Sequence, residues 1–222
     1  SGATDANSAT LDLGDTTGVQ QVVLKDALSV NHATNTLTVT FDKLAPGVAV
    51  GINGGAKGSS GGVATSLTVG VKDAATNTAD ALTINLTDAL ANVVTAANIE
   101  TISLVSANSA STTSSTVAVL TADKLKTLNL DGSGTQTISA LTGTGATLTA
   151  VNILGAGKNT ITTATGTQTA LKTIDGSAAT GSNTVVISGT AIANTKVTMG
   201  AGADTVTFDS SAEVATAIGT EG

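Results

Sequence analysis

The sequence predicts an all-β protein with the architecture of a parallel β-solenoid, and two observations lead to this prediction. Thr, Val and Ile, with 43, 21 and 11 copies, make up about a third of the 222 residues. These β-branched side chains pack well on a pleated sheet and crowd an α-helix. The second observation is a repeat of 21 to 24 residues in the second half of the chain, which is typical of proteins whose units stack on one another.

The first half of the chain carries strand patterns without a regular repeat. Aliphatic residues alternate with Thr, Ser or Asn in four segments, and this period of two predicts strands. The segments are 37–41, 66–71, 82–88 and 100–104. Residues 54–62, which are rich in Gly and Ser, predict a loop. An Ala-rich stretch over 88–98 predicts a short helix with Asp88 as its N-cap.

Four similar segments form the repeat of the second half, and each consists of a strand, a glycine turn and a second strand. The first glycines of the turns are Gly132, Gly155, Gly176 and Gly200, at spacings of 23, 21 and 24 residues. Glycine suits a corner that is too tight for a side chain. Residues 111–222 are therefore predicted to form a regular solenoid, and a short helix over 211–218 is predicted to cover its open end.

Stacked coils bring equivalent side chains into columns. In a solenoid each coil lies about 4.8 Å from the next and pairs with it through backbone hydrogen bonds. We expect a polar column, a threonine column and an inward aliphatic column directly after the turns. The polar column is Gln136, Asn159, Asn183 and Asp204; the threonine column is Thr137, Thr160, Thr184 and Thr205; the aliphatic column is Ile138, Ile161, Val185 and Val206. Amides stacked in this way can exchange hydrogen bonds along the column.

Two organisations of residues 1–110 stay open. This irregular β region forms either the early coils of one continuous solenoid or a separate N-terminal β-sandwich. The polar run of Ser and Thr over 106–115 lies where a boundary between the two parts would fall.

Composition argues against several classes of function. The net charge is −7, and Arg, Cys, Trp and Tyr are absent. Without clustered cations or aromatic rings the chain lacks the usual means of binding nucleic acid, and without Cys it forms neither disulfides nor Cys-based zinc sites. No apolar run reaches the roughly 18 residues of a membrane span, and no signal peptide is recognisable. We therefore expect neither a nucleic-acid partner nor insertion into a membrane.

Catalysis is also not expected. His32, the single histidine, lies in a polar turn between two strand patterns, where no nucleophile or acid can be assigned to it. It is predicted to be a surface hairpin residue. Parallel β-helices that act on polysaccharides need paired carboxylates, or a Lys or Arg base, in a sugar-binding groove, and here the Asp residues stand singly at turns. We therefore assign no catalytic residue.

The last turn carries the motif Gly200-Ala-Gly202-Ala-Asp204-Thr-Val206-Thr. It resembles the Gly- and Asp-rich nonapeptide of RTX proteins, whose parallel β-rolls bind calcium, and only the second glycine of that motif is missing. The wider pattern over 98–210 resembles the RTX-type crystalline surface-layer (S-layer) proteins of Gram-negative bacteria, and large secreted adhesins share this pattern. The resemblance implies type I secretion, calcium-aided folding outside the cell and self-assembly into a two-dimensional lattice.

Calcium is the cofactor that the resemblance implies. Its candidate ligands are the carboxylates of Asp204 and Asp209 together with the backbone of Gly200 and Gly202. The position of Asp204 is occupied by Gln or Asn in the other three turns, so the column also fits a metal-free version of the same coil. In that alternative, Asp204 is a solvated acid at a turn.

The expected function is structural. The chain is interpreted as a self-assembling fragment of a secreted, extracellular S-layer protein at the cell surface, with copies of itself as partners and calcium between their exposed carboxylates. Lipopolysaccharide or a surface glycan would be bound by another part of the parent protein. The alternative is a stalk segment of a large type I-secreted adhesin or biofilm matrix protein, and a polysaccharide-active β-helix enzyme is the third hypothesis.

Overall fold

The regular secondary structure of this protein is β-strand throughout the residues that the structure describes. The computed structural model describes residues 7–25, 37–54, 65–111, 113–144, 147–163, 170–187, 195–208 and 220–221, and no helix occurs in these ranges. The strands form two sheets, which we call sheet 1 and sheet 2. None of the described residues forms a helix with the length and hydropathy needed to cross a bilayer.

The strands of each sheet follow one another in spatial order from one edge to the other. Sheet 1 contains β1 (Asn7–Asp12), β3 (Leu37–Leu44), β5 (Thr65–Val71), β7 (Leu90–Ala96), β9 (Ser114–Thr121), β11 (Thr135–Ile138), β14 (Asn159–Thr162), β16 (Thr184–Ile187) and β18 (Thr205–Phe208), with β12 (Leu141–Thr142) also paired to β9. Sheet 2 contains β2 (Gln21–Lys25), β4 (Ala49–Asn53), β6 (Ala81–Thr87), β8 (Thr101–Ser106), β10 (Thr127–Gly132), β13 (Ala150–Ile153), β15 (Thr173–Asp175), β17 (Lys196–Thr198) and β19 (Thr220–Glu221).

The chain alternates between the two sheets, so that successive coils add one strand to each of them. The spatial order in both sheets is therefore also the chain order. The pairings are parallel, for example β10 with β8 and β13, and β14 with β11 and β16. This arrangement is a parallel β-solenoid, so the predicted fold class is confirmed.

The helix predicted over 88–98 is wrong. Leu90–Ala96 forms β7, which lies between β5 and β9 in sheet 1. Ala91, Val94 and Ala96 point inward and are fully buried. A strand is favoured here because it pairs the backbone groups of both neighbouring strands, which a helix would leave without partners. Asp88, with a φ of 49°, turns the chain into β7 instead of capping a helix.

Three further predictions fall wholly or partly outside the described residues. They are the helix over 211–218, the hairpin position of His32, and most of the loop over 54–62.

Strands from both sides of residue 110 belong to the same two sheets. β7 pairs with β9 in sheet 1. In sheet 2, β8 pairs with β10 over six residue pairs, the first of Thr101 with Thr127 and the last of Ser106 with Gly132. The strand patterns predicted over 37–41, 66–71, 82–88 and 100–104 correspond to β3, β5, β6 and β8.

The core consists of aliphatic columns between the sheets. In sheet 2 one column contains Leu82, Ile102, Leu128, Val151, Ile174 and Val197, and each of these side chains is at most 4% exposed. Burying one aliphatic side chain of this size contributes about 1.5–3 kcal/mol. The predicted inward column of sheet 1 is confirmed as well, since Ile138, Ile161 and Val185 pair in register and are at most 1% exposed. Val206 continues this column in register and is partly buried.

Candidate functional site

A buried ladder of side-chain amides runs through the second half of the solenoid. Gln136 Nε2 donates to Asn159 Oδ1 at 2.7 Å, and Asn159 Nδ2 donates to Asn183 Oδ1 at 2.8 Å. Asn183 Nδ2 donates in turn to Asp204 Oδ1 at 3.1 Å. The predicted polar column is therefore confirmed. We call these four residues the amide ladder.

Each Asn of the ladder also donates to a carbonyl of its own turn, and Asn183 additionally accepts from the backbone of the preceding coil. Asn159 Nδ2 donates to Gly157 O at 3.1 Å, and Asn183 Nδ2 donates to Gly181 O at 2.7 Å. Asn183 Oδ1 also accepts from the Asn159 backbone N–H at 3.2 Å. Gln136, Asn159 and Asn183 are each 1% exposed, so these hydrogen bonds lie away from water. Buried amides of this kind stabilise a fold when their donors and acceptors are used internally. Among the amides of the ladder, Gln136 Oε1 is the buried atom without a hydrogen-bond partner.

The polar column continues into the coil that precedes Gln136, where it meets a loop. The sequence did not predict this contact. Ser115 pairs with Gln136 in register and donates from Oγ to Asn108 Oδ1 at 2.7 Å. Asn108 Nδ2 donates to Thr113 O at 3.0 Å and to Thr135 O at 2.8 Å. The sequence signal for this extension is weak, because Ser115-Thr-Val repeats the Gln136-Thr-Ile pattern without a preceding glycine turn.

Asp88 fixes the same loop from the preceding coil. Its carboxylate accepts hydrogen bonds from the Ser109 backbone N–H, from Ser109 Oγ and from Thr113 Oγ1. The polar run over 106–115 is thus tied to the solenoid by side-chain hydrogen bonds in its described residues.

The glycine turns stack so closely that a side chain has no room. A Cβ on Gly157 would lie 2.2 Å from Gly134 O, and a Cβ on Gly181 would lie 2.2 Å from Gly157 O. The same holds for Gly202, where the distance to Gly181 O is 2.1 Å. Real Cβ atoms do not approach carbonyl oxygens this closely, so the backbone of one turn rests directly on the next.

The predicted calcium ligands lie at the C-terminal end of this stack. Gly200 and Gly202 pack against the preceding coil, where their added Cβ atoms would lie 2.0 Å from Ala179 O and 2.1 Å from Gly181 O. Asp204, which is partly buried, accepts at Oδ1 from the Asn183 backbone N–H at 2.8 Å as well as from its side chain. Asp209 lies outside the described residues.

The arrangement makes Asp204 the acceptor that ends the amide ladder. Three or more His, Cys, Asp or Glu side chains do not come together anywhere in the described part of the chain. Calcium at Asp204 therefore stays a prediction.

The other turn acids satisfy their own turns. Asp131 Oδ1 accepts from the Gly132 backbone N–H at 2.6 Å, and Asp175 Oδ1 accepts from the Ser177 backbone N–H at 2.9 Å. Hydrogen bonds from the Ser177 side chain and then from its backbone lower the pKa of Asp175, and nearby Lys196 adds to this effect. These local contacts are typical of carboxylates that shape a turn.

A shallow polar groove of about 450 Å³ lies beside the loop over 108–111. Its described lining also includes residues 133–135, Ala156 and Lys158. The lining groups are hydroxyls, backbone, one amide and one ammonium, and no carboxylate or imidazole is among those described. The groove therefore offers hydrogen-bonding groups, including the Lys158 ammonium, for contact with another molecule.

Comparison of the chain with protein-family models, with curated proteins and with solved structures finds no match.

Proposed function

We propose that this chain is a structural, self-assembling segment of a secreted bacterial S-layer protein, and that it acts at the cell surface by contact with copies of itself. The observation that carries the proposal is the continuous solenoid, in which two parallel sheets run through the described residues. Such a stack is a stiff scaffold whose repeating faces offer the same groups at regular intervals.

The second half of the solenoid supports a building role because its buried polar groups are engaged with one another, with Gln136 Oε1 as the exception among the described residues. The side chains of the amide ladder, Asp88 and Asn108 form hydrogen bonds with turns and with neighbouring coils.

The outward side of sheet 1 is suited to contact with another copy. Two threonine columns line it in register: Thr10, Thr40, Thr68, Thr95, Thr121 and Thr142 form one, and Thr116, Thr137, Thr160, Thr184 and Thr205 form the other. Threonine is short and has few rotamers, so burying it costs less side-chain entropy than burying Lys or Glu. A face of short side chains with few rotamers therefore favours lateral packing.

Calcium assists the assembly in this proposal. Each copy carries a net charge of −7, so like-charged surfaces repel one another when they approach. A divalent cation shared between exposed carboxylates of two copies reduces this repulsion and adds oxygen ligands on both sides.

Electron microscopy and sedimentation velocity of the chain test the proposal. We expect ordered arrays in CaCl2 and smaller species in EGTA, with NaCl at matched ionic strength as the control for simple screening. Monomers under all three conditions would contradict it.

A pair of outward substitutions tests the contact face. Thr68→Lys with Thr95→Lys places two long cations side by side on sheet 1, and we expect it to block the arrays while the monomer keeps its circular dichroism spectrum. The matched control is Thr83→Lys with Ser103→Lys on sheet 2, where the two residues also pair in register. Equal assembly of both variants would rule out the threonine columns as the contact.

The second candidate function is a stalk segment of a type I-secreted adhesin or biofilm matrix protein. The same solenoid favours it, because stacking along one axis extends a rod without any contact between copies. Monomers in both calcium and chelator would favour this alternative.

A further inference from the structure

Two acidic side chains are buried next to each other at one corner of the solenoid. Asp80 and Glu100 directly precede β6 and β8, and they are 6% and 8% exposed. Ala81 pairs with Thr101 in register, so the two acids occupy equivalent places in consecutive coils. We call them the acid pair.

The backbone ties the acid pair together. The Asp80 N–H donates to Glu100 Oε2 at 2.9 Å. Asp80 O accepts from the Glu100 N–H at 3.1 Å and from the Thr101 N–H at 3.0 Å. Coil-to-coil hydrogen bonds therefore fix the backbone of both residues and the Glu100 carboxylate before any ligand is considered.

One carboxylate oxygen of the pair is left without a donor. Asn77 Nδ2 lies 3.4 Å from Asp80 Oδ1. Asp80 Oδ2 is buried and has no hydrogen-bond partner. A buried carboxylate oxygen without a donor is costly, and native proteins satisfy such atoms with a hydrogen bond or a metal ion.

No ammonium group lies within 4.0 Å of the acid pair among the described residues. The ion pair found there within 4.0 Å joins Lys43 to Asp12, in other coils. Lys126 takes the equivalent corner position one coil further on, and its side chain is exposed. Two adjacent buried carboxylates therefore lack a positive partner in the part of the chain that the structure describes.

We propose that the acid pair binds one hard divalent cation, with Asp80 Oδ2 and the Glu100 carboxylate as its protein ligands. Carboxylate oxygens are the ligands that Ca²⁺ and Mg²⁺ prefer, and waters or backbone carbonyls complete the coordination. The cation supplies the missing positive charge and the missing partner of Asp80 Oδ2. Rotation of the Asn77 amide would offer a further oxygen.

This site is separate from the predicted ligands at Gly200–Asp204 and independent of assembly. It lies in the first half of the chain, and it joins the coils of β6 and β8 within one molecule. Binding is therefore measurable on monomers, whether or not the protein forms arrays.

Calorimetric titration of the chelator-treated chain with CaCl2, and separately with MgCl2, tests the proposal. We expect Asp80→Asn to bind one cation fewer than the wild type for at least one of the two metals. Asp73→Asn, an exposed acid in the same turn, is the matched control and should bind as the wild type does. Glu100→Gln provides a second variant if Asp80→Asn does not fold.

Thermal unfolding gives an independent readout. At about 100 times its dissociation constant, the cation should raise the Tm of the wild type by roughly 5–10 °C, and the rise should be lost in Asp80→Asn or Glu100→Gln. Equal binding by the wild type and both variants would overturn the proposal.

Discussion

At the scale of single residues, an Asn side chain has a different effect on stability inside the solenoid than on its outer surface. Asn159 lies inside the solenoid and is 1% exposed, and its amide bridges Gln136 and Asn183. Asn152 lies on the outside of sheet 2, and its Nδ2 donates to Asn129 Oδ1 at 2.8 Å. Water can replace the outer hydrogen bond, whereas nothing replaces the inner one.

Replacing each of these Asn residues by Leu separates the two cases. Asn159→Leu should destabilise the protein by about 2–4 kcal/mol, because buried groups on both neighbouring coils lose a partner. Asn152→Leu should change the free energy of unfolding by less than about 1 kcal/mol. Urea unfolding followed by circular dichroism measures both. Equal losses for the two variants would show that the inner ladder contributes no more than a solvated amide pair.

At the scale of elements, the glycine turns determine how closely the coils can approach. Gly181 and Gly176 belong to the same coil, and neither has a positive φ. A Cβ on Gly181 would overlap Gly157 O at 2.2 Å, whereas a Cβ on Gly176 would meet its nearest atom, Thr198 O, at 3.4 Å. Neither position needs a backbone conformation reserved for glycine, so the two positions differ in the space available to a methyl group.

We expect Gly181→Ala to destabilise the protein by about 3 kcal/mol or more, because a backbone carbonyl must move to admit the methyl group. Gly176→Ala should be neutral or stabilising by up to about 1 kcal/mol, since alanine reduces the freedom of the unfolded chain. Thermal and urea unfolding measure the difference. If Gly181→Ala is as stable as Gly176→Ala, the turns do not stack as described.

The elements that belong to a visible sequence repeat were predictable from the sequence. Elements whose conformation depends on pairing with distant strands were not. The four members of the amide ladder follow similar glycine turns, so their register was predictable. The strand Leu90–Ala96 has no glycine turn and is rich in Ala, so local propensity favoured a helix. Pairing with β5 and β9 overrides that propensity.

The parts of the site that the sequence did not reveal depend on contacts between unlike segments. Asn108 and Ser115 meet because a loop folds back onto the coil that carries Thr135. Asp80 and Glu100 are 20 residues apart and differ in type, so no motif marks them as neighbours. Such pairs follow from three-dimensional stacking, and a single sequence carries little signal for them.

At the scale of the whole molecule, the proposed functions depend on a single uninterrupted stack of coils. One outward column of sheet 2 passes through both halves of the chain and contains Thr83, Ser103, Asn129, Asn152, Asp175 and Thr198. A separate N-terminal sandwich would break this column near residue 110. The S-layer proposal and the stalk alternative both require it to be continuous.

The distance between spin labels at the two ends of that column tests the continuous stack most directly. The chain has no Cys, so Thr83→Cys and Thr198→Cys label only the intended positions. Five coil steps of about 4.8 Å predict a separation of roughly 24 Å with a narrow distribution, measured by double electron–electron resonance. A broad distribution, or a separation well above about 30 Å, would contradict the single solenoid.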